Sequence, residues 1–453
     1  MKKLLLIAAA IAVMNSSLSI FADDDSDKNY LRNSVYMLKL NVNGNEENAD
    51  AYATMMARTF DTINFARNYE RYNDFSLKNR HIEFENTPKA TPEEISAIGK
   101  ESIIEKYINE QLVAEGLKKN NVSEYEYAAR LLKYFEQEHT ANKLIAKLYN
   151  KPDTDEDKID WDNDLYTLYD LGLKGMSQEA KDNAKATDNL MNQAKGAADK
   201  LLTNTYVCVN RYSYVSAEEV IVSATAAAKI AMQKLPAIAQ AAAQKGIDAI
   251  ASKIKGYFVR VNAYLFQLDW NDDLKNKLYS QYWENPDGFL TDDSYKLKYV
   301  GKSSKNAPAA LSLKATNEDA LVARATVRGT DAAFAALQRD HENFRPMTSL
   351  HVIDGKLAAY IGMKEGIKSG DKFDVFEAVA DPNDPNLTEW KSIGTIKVSK
   401  KDGVWDNRIG AGVQLEGESA SEDEETAGTA KYTIFDGKPS KKIGEGCMIR
   451  LSK

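Results

Sequence analysis

Cysteine and histidine are scarce in this 453-residue sequence, which contains two cysteines and four histidines. Two cysteines cannot build a disulfide scaffold or a multi-cysteine zinc centre. No two histidines stand four residues apart, and the sequence lacks a P-loop, a dinucleotide-binding fingerprint and a G-x-S-x-G nucleophile elbow. These absences count against metal and nucleophile chemistry. They favour a non-enzymatic role and leave an enzyme open as the alternative.

No hydrophobic run is long enough to span a bilayer, which takes about 20 apolar residues. The run at residues 4–13 follows Lys2 and Lys3 and precedes a polar stretch that leads to Ala22 and then three aspartates. A basic start, a short apolar core and a small residue at the cut form a secretory signal peptide. We therefore expect residues 1–22 to be removed during export. Because no cysteine lies near the cut, we do not expect a lipoprotein.

The charge balance is acidic, with 67 aspartates and glutamates, 59 lysines and arginines, and a net charge of -8. Removal of residues 1–22, which carry two lysines and no acid, leaves 431 residues with a net charge of -10. An acidic chain repels phosphate groups, so we expect no nucleic-acid partner and at most peripheral membrane contact. The expected location is the periplasm or the outer membrane, with secretion as a further option.

The first exported region, residues 23–200, is predicted to be rich in helices. It opens with an alternating apolar strand at 34–42, which can join a later sheet. The sequence Pro-Glu-Glu after Thr91 marks a helix start, because proline suits the first helical position and acids favour the first turn.

The second region, residues 201–350, is predicted to be a central α+β domain. Two long runs of β-branched and aromatic residues, 203–214 and 256–270, are expected to be neighbouring antiparallel strands. The alanine-rich segment between them, 218–255, is expected to be helical and to split at Pro236.

The sequence pattern changes in the last part of the chain. Residues 320–327 alternate like a strand, and a helix is predicted from about 330 to 343. Residues 351–453 then contain short apolar runs separated by glycine, aspartate and proline turns, which predict a small SH3-like or related β-barrel. Its strands are predicted at 357–361, 372–377, 393–398, 432–435 and 447–451. The acidic segment 416–428 has little to bury and is predicted to be a disordered insertion, in a chain of fold class α+β.

One acidic loop offers a candidate cation site. Asp153, Asp155 and Asp157 alternate as carboxylates do at the opening of an EF-hand calcium loop. Lys158 stands where that loop needs glycine, and Asp164 stands where it needs a bidentate glutamate. The sequence therefore leaves two interpretations, a weak Ca²⁺ site and a solvated acidic linker, and Ca²⁺ is the only cofactor it suggests.

The two cysteines, Cys208 and Cys447, both lie in strand-like runs. In an oxidising compartment they could form a disulfide between two regions of the chain. The alternative is that both are small buried hydrophobic residues, since a separation in sequence does not show whether they meet.

The alanine-rich segment could pack against the protein's own sheet, against another copy or against a membrane surface. Its small residues allow close approach of a second helix; they are Ala226, Ala227, Ala231, Ala239, Ala242 and Ala243. Lys229, Lys234 and Lys245 suit a membrane surface, whereas the shortage of large apolar anchors does not.

Several segments resemble a group of uncharacterised secreted proteins of the Gram-negative envelope. These segments are 32–36, 71–74, 202–210, 264–271 and 361–376. The last of them, together with 393–398 and 444–450, is similar to the small C-terminal β domain of flagellar-assembly and curli-export accessory proteins. The resemblance implies an envelope location and a non-enzymatic role.

Taken together, these patterns predict an exported structural or assembly factor of the cell envelope. It is expected to act by binding an envelope protein or a second copy of itself. A secreted hydrolase acting on glycans or peptides is the alternative from another class, and a Ca²⁺-dependent binding protein is a third.

Overall fold

The computed structural model describes most of the chain between residues 30 and 452. The described residues are 30–31, 34–42, 49–63, 81–118, 122–149, 199, 201–233, 236–251, 254–283, 285–310, 317–380, 388–411, 415, 427–428 and 431–452.

Helices and strands are both well represented, so the fold class is α+β as predicted. The α-helices are α1 (Ala49–Thr62), α2 (Pro92–Ile98), α3 (Ile103–Ala114), α4 (Glu124–Gln137), α5 (Thr140–Tyr149), α6 (Ala217–Met232), α7 (Ala237–Ala251), α8 (Asp272–Lys277) and α9 (Glu318–Asp340). The strands are β1 (Tyr30–Leu31), β2 (Ser34–Asn41), β3 (His81–Glu83), β4 (Thr205–Ser216), β5 (Tyr257–Leu268), β6 (Leu297–Pro308), β7 (Met347–Ser349), β8 (His351–Ile353), β9 (Lys356–Ala359), β10 (Lys372–Ala380), β11 (Thr388–Val398), β12 (Val404–Trp405), β13 (Ala427–Gly428), β14 (Thr433–Asp436) and β15 (Met448–Leu451).

The central sheet has five strands in the order β3-β2-β4-β5-β6. β4 and β5 pair antiparallel over their whole length, as predicted, and β6 pairs antiparallel with β5. The early strand β2 joins this sheet, but it runs parallel to both β3 and β4. The sheet is therefore mixed, and its strands come from both of the first two predicted regions.

Helices cover both faces of the central sheet. Because side chains alternate along a strand, one apolar set of β2, β4 and β5 packs with α4 and α5, and the other set packs with α1 and α9. Val207 and Val209 belong to the first set, whereas Tyr206 and Cys208 belong to the second. This double burial explains why β4 contains the unbroken apolar run from Tyr206 to Val209.

The helix boundaries follow from capping residues and proline. α2 begins where predicted: Thr91 accepts a hydrogen bond from the backbone nitrogen of Glu94, and the Glu94 carboxylate accepts one from the Thr91 nitrogen. The alanine-rich segment splits at Pro236 into α6 and α7, also as predicted.

The predicted strand at 320–327 is wrong, because these residues form the first half of α9. The buried positions of α9 recur with helical spacing, which a short alternating window conceals. They include Leu321, Val322, Ala325, Thr326, Gly329, Thr330, Ala333, Phe334, Leu337 and Gln338. The helix therefore runs for 23 residues and packs on β5, β6 and α1.

The C-terminal region contains an eight-stranded antiparallel sheet that is nearly closed and barrel-like. Its order is β1-β7-β15-β10-β11-β14-β9-β8. Only Leu350 separates β7 from β8, so these two strands form one bent strand whose halves pair with β15 and with β9. β1, at the start of the described chain, pairs with β7.

Two of the predictions concern residues outside the described ranges, one of them wholly and the other in part. Residues 416–426 of the predicted acidic insertion lie outside them, as does the proposed signal peptide at 1–22. The last two residues of that insertion form β13, which pairs in parallel with β12, so regular structure resumes at Ala427 rather than after Gly428.

Candidate functional site

A layer of charged side chains lies between the central sheet and three helices. Basic residues on the adjacent strands β4, β5 and β6 each pair with a glutamate in the first turn of a helix. The three pairs are Arg211–Glu124 on α4, Arg260–Glu219 on α6 and Lys302–Glu105 on α3. In the strand register Arg211 lies opposite Asn262, and Lys302 lies opposite Tyr264, so the basic residues share one face with α4.

Serine caps place two of these glutamates. Ser102 accepts a hydrogen bond from the Glu105 nitrogen at 3.1 Å, and the Glu105 carboxylate accepts one from the Ser102 nitrogen at 2.8 Å. Ser216 accepts a hydrogen bond from the Glu219 nitrogen at 3.2 Å. A serine three residues before a glutamate therefore fixes both the start of the helix and the carboxylate that meets the sheet.

The pair at Glu124 is held by three neighbours. Arg211 Nη2 donates to one carboxylate oxygen at 2.8 Å, and the Tyr264 hydroxyl donates to the other. Burial alone would raise the pKa of Glu124. Arg211, the Tyr264 hydroxyl and Lys118 outweigh burial and hold this pKa below its usual value. The charges of this layer therefore serve to attach the helices to the central sheet.

Apolar side chains remain accessible on the helices that this layer attaches. Ile103, the first residue of α3, is 82% exposed, and Ile104 is 37% exposed. α6 packs against α3, and its large apolar side chains are only partly buried. They are Val220, Ile221, Val222, Ile230 and Met232. We call the exposed start of α3, with Ile103 and Ile104, together with the helix α6 that packs against α3, the α3–α6 surface.

A pocket of about 400 Å³ opens at the C-terminal end of α9. Its lining residues are Tyr206, Gln267, Val300, Asp340, His341, Glu342, Asn343, Phe344 and Arg345. The lining thus contains two carboxylates, an imidazole and two amides, which lie beside buried aromatic rings. These nine residues include no serine, threonine, cysteine or lysine, so the lining suits polar binding better than covalent catalysis.

His341 stands in the pocket wall against Gly301 of β6. A Cβ atom at position 301 would lie 2.2 Å from His341 Nε2, so glycine is needed to leave room for the ring. Burial lowers the pKa of His341, the Asp340 carboxylate opposes that change, and Arg345 adds to it. The imidazole is therefore neutral at neutral pH and can accept a hydrogen bond through one nitrogen.

The cation site and the disulfide considered from the sequence have different outcomes in the structure. Asp153, Asp155 and Asp157 lie outside the described residues. Among the residues that the structure does describe, no cluster of histidine, cysteine, aspartate and glutamate could hold a metal ion. Cys208 and Cys447 are both free. Cys208 is buried in β4 of the central sheet, and Cys447 directly precedes β15 and packs against the core of the C-terminal sheet, so this structure does not join the two cysteines.

No protein-family model matches the sequence, and no curated protein matches it. None of the helices in the described ranges combines the length and the apolar character needed to cross a membrane.

Sequence reasoning missed both the charged layer and the pocket. Two of the glutamates in the layer could have been found, because Ser102 and Ser216 each precede a glutamate by three residues. Nothing in the sequence indicated which basic residues they would meet. The pocket combines a helix end with three separate strands, so it has no local sequence pattern.

Proposed function

We propose that this protein is an exported structural or assembly factor of the cell envelope that acts by binding another protein, without catalysis. The observation that carries the proposal is the exposure of Ile103 and Ile104 on the α3–α6 surface. Ile103 sits in a capped, regular helix and is still 82% exposed. Exposed apolar groups gathered on one surface are typical of protein-binding sites.

The charged layer supports the same proposal. Lys302–Glu105 and Arg260–Glu219 attach the first turns of α3 and α6 to the sheet, and Ile103 and Ile104 at the start of α3 stay on the outside. The signal-peptide pattern at 1–22 and the resemblance to secreted envelope proteins support export. The acidic composition supports a protein partner rather than nucleic acid.

Val352 on β8 is also an exposed apolar residue, but it is less suited to binding. Its backbone nitrogen donates to the Glu445 carboxylate at 2.6 Å, and the nitrogen of Leu350 donates to the Cys447 carbonyl at 2.8 Å. These hydrogen bonds occupy part of the strand edge that a partner strand would need. We therefore assign binding to the α3–α6 surface.

The test replaces one exposed apolar residue on each surface with an acid. Ile103→Glu should abolish the complex recovered from crosslinked envelope fractions, because a charge at the centre of an apolar interface must be desolvated. The fold should be unaffected, since an acid suits the first turn of a helix. Val352→Glu, with the same change in charge, should leave the complex intact. A complex lost with Val352→Glu and retained with Ile103→Glu would contradict the assignment.

A further inference from the structure

The pocket at the end of α9 carries one uncompensated charge of each sign. Asp340 is exposed there, and its carboxylate forms no hydrogen bond or ion pair with the residues that the structure describes. Arg345 donates through Nε and Nη2 to the carbonyl of Arg339 at 3.2 and 2.8 Å, and through Nη1 to that of Leu451 at 3.4 Å. Because these acceptors are neutral carbonyls, they leave the positive charge of the guanidinium without a counter-ion.

Arg345 also keeps donors for a ligand. A guanidinium has five N–H groups, and the hydrogen bonds to Arg339 and Leu451 use three of them. A planar guanidinium with free N–H groups is a typical partner of a carboxylate. The other carboxylate of the lining, Glu342, lies 3.8 Å from Arg450, which offsets its charge. Asp340 and Arg345 therefore remain as two opposite and nearly balanced charges.

Both charges lie near the imidazole of His341 in the pocket wall. Burial lowers the pKa of this imidazole, Asp340 opposes that change, and Arg345 adds to it. The neutral ring adds a hydrogen-bonding group to the lining without altering its charge balance. Gln267 adds an amide, whose nitrogen donates to the carbonyl of Thr203 at 2.7 Å. The lining therefore suits a polar ligand.

A ligand that matches this lining carries both charges. A simple cation is repelled by Arg345 and a simple anion by Asp340, whereas a zwitterion meets an opposite charge at each end. The cavity of about 400 Å³ lies within the usual range of small-molecule sites. No apolar floor is required, and none is offered by Tyr206 and Phe344, which are each 1% exposed.

We propose that this pocket binds a zwitterionic α-amino acid or dipeptide, with the ammonium at Asp340 and the carboxylate at Arg345. The two ligands share these charged groups and differ in the distance between them. The proposal is independent of the α3–α6 surface.

The test titrates the full exported chain with L-alanine, L-glutamine and L-alanyl-L-alanine, followed by NMR of the four histidine imidazoles. At least one probe should shift the His341 resonances with a Kd below about 1 mM. Its N-acetyl derivative lacks the ammonium and its amide lacks the carboxylate, so each should bind at least about tenfold more weakly. A response to only the amino acids or only the dipeptide would identify the class of ligand.

A variant then tests the position of the ammonium. Asp340→Asn should weaken binding of the zwitterion at least about tenfold and remove its advantage over the N-acetyl derivative. Asp319→Asn is the matched control, since Asp319 is also exposed on α9 and lies roughly 30 Å away at its other end. No response to any of the three probes, equal binding of the zwitterion and either derivative, or full affinity in Asp340→Asn would overturn the proposal.

Discussion

At the scale of single residues, the charged layer depends on each ion keeping its partner. The side chains of Arg211 and Glu124 are 14% and 25% exposed, so removing one leaves the other poorly solvated. Arg211→Met should lower the free energy of unfolding by about 3 kcal/mol, measured by urea denaturation. Lys298→Met is the control, because its pair with Asp269 is about half exposed and should contribute less than about 1 kcal/mol. Equal losses would contradict the importance of burial.

His341 gives a second prediction at this scale. Its pKa in the folded protein should lie below the value of about 6.5 found in unfolded chains, as measured by NMR titration of the imidazole. The unfolded state then binds the proton more readily, so this residue reduces stability as the pH falls below about 6.5. Asp340→Asn should lower the pKa further, because the carboxylate favours the imidazolium. Asp319→Asn should leave it unchanged, and a rise in Asp340→Asn would contradict the geometry.

At the scale of elements, α9 lies close to the central sheet because Gly329 has no side chain. A Cβ atom there would lie 2.8 Å from Val261 Cγ2 and 3.4 Å from Ala307 Cβ. Gly329→Ala should therefore destabilise the fold by about 1–3 kcal/mol in thermal melts, despite the better helix propensity of alanine. Gly246→Ala in α7 should stabilise by about 0.5–1 kcal/mol, since nothing lies within 4 Å of that Cβ position. Changes of the same sign in both variants would contradict this account.

Elements with strong local patterns were predictable from the sequence. The capping box at Thr91 and the proline at 236 determine helix boundaries through nearby atoms, and both predictions were confirmed. The alternation of β4 and β5 likewise predicted their antiparallel pairing. The strand predicted at 320–327 failed because a short window containing several small residues cannot distinguish alternation from helical spacing.

At the scale of the whole molecule, α9 joins the central sheet to the C-terminal sheet. One side of the helix packs on β5 and β6, and its arginines reach loops of the C-terminal region. Arg328 Nε donates to the carbonyl of Ile409 at 3.1 Å, and Arg339 Nη2 donates to the Asp371 carboxylate at 2.8 Å. The same helix therefore positions the pocket at its end and holds the C-terminal sheet in place.

The candidate sites are built from residues that are far apart in the sequence, which explains why the sequence did not reveal them. The partners in the three ion pairs of the charged layer are 87, 41 and 197 positions apart. Their pairing depends on strand register and on which helix covers which half of the sheet. The pattern at residues 1–22 and the composition predict an exported, acidic binding protein, but only the assembled fold shows that Ile103 is exposed while Val207 is buried.

The measurement that tests the central claim most directly is photocrosslinking in living cells from defined positions of the full chain. A photoreactive residue in place of Ile103 should give one discrete crosslinked product with an envelope protein or a second copy of this chain. The same residue in place of Val352 should give none. No product from position 103 in exported protein, or equal products from both positions, would contradict binding through the α3–α6 surface.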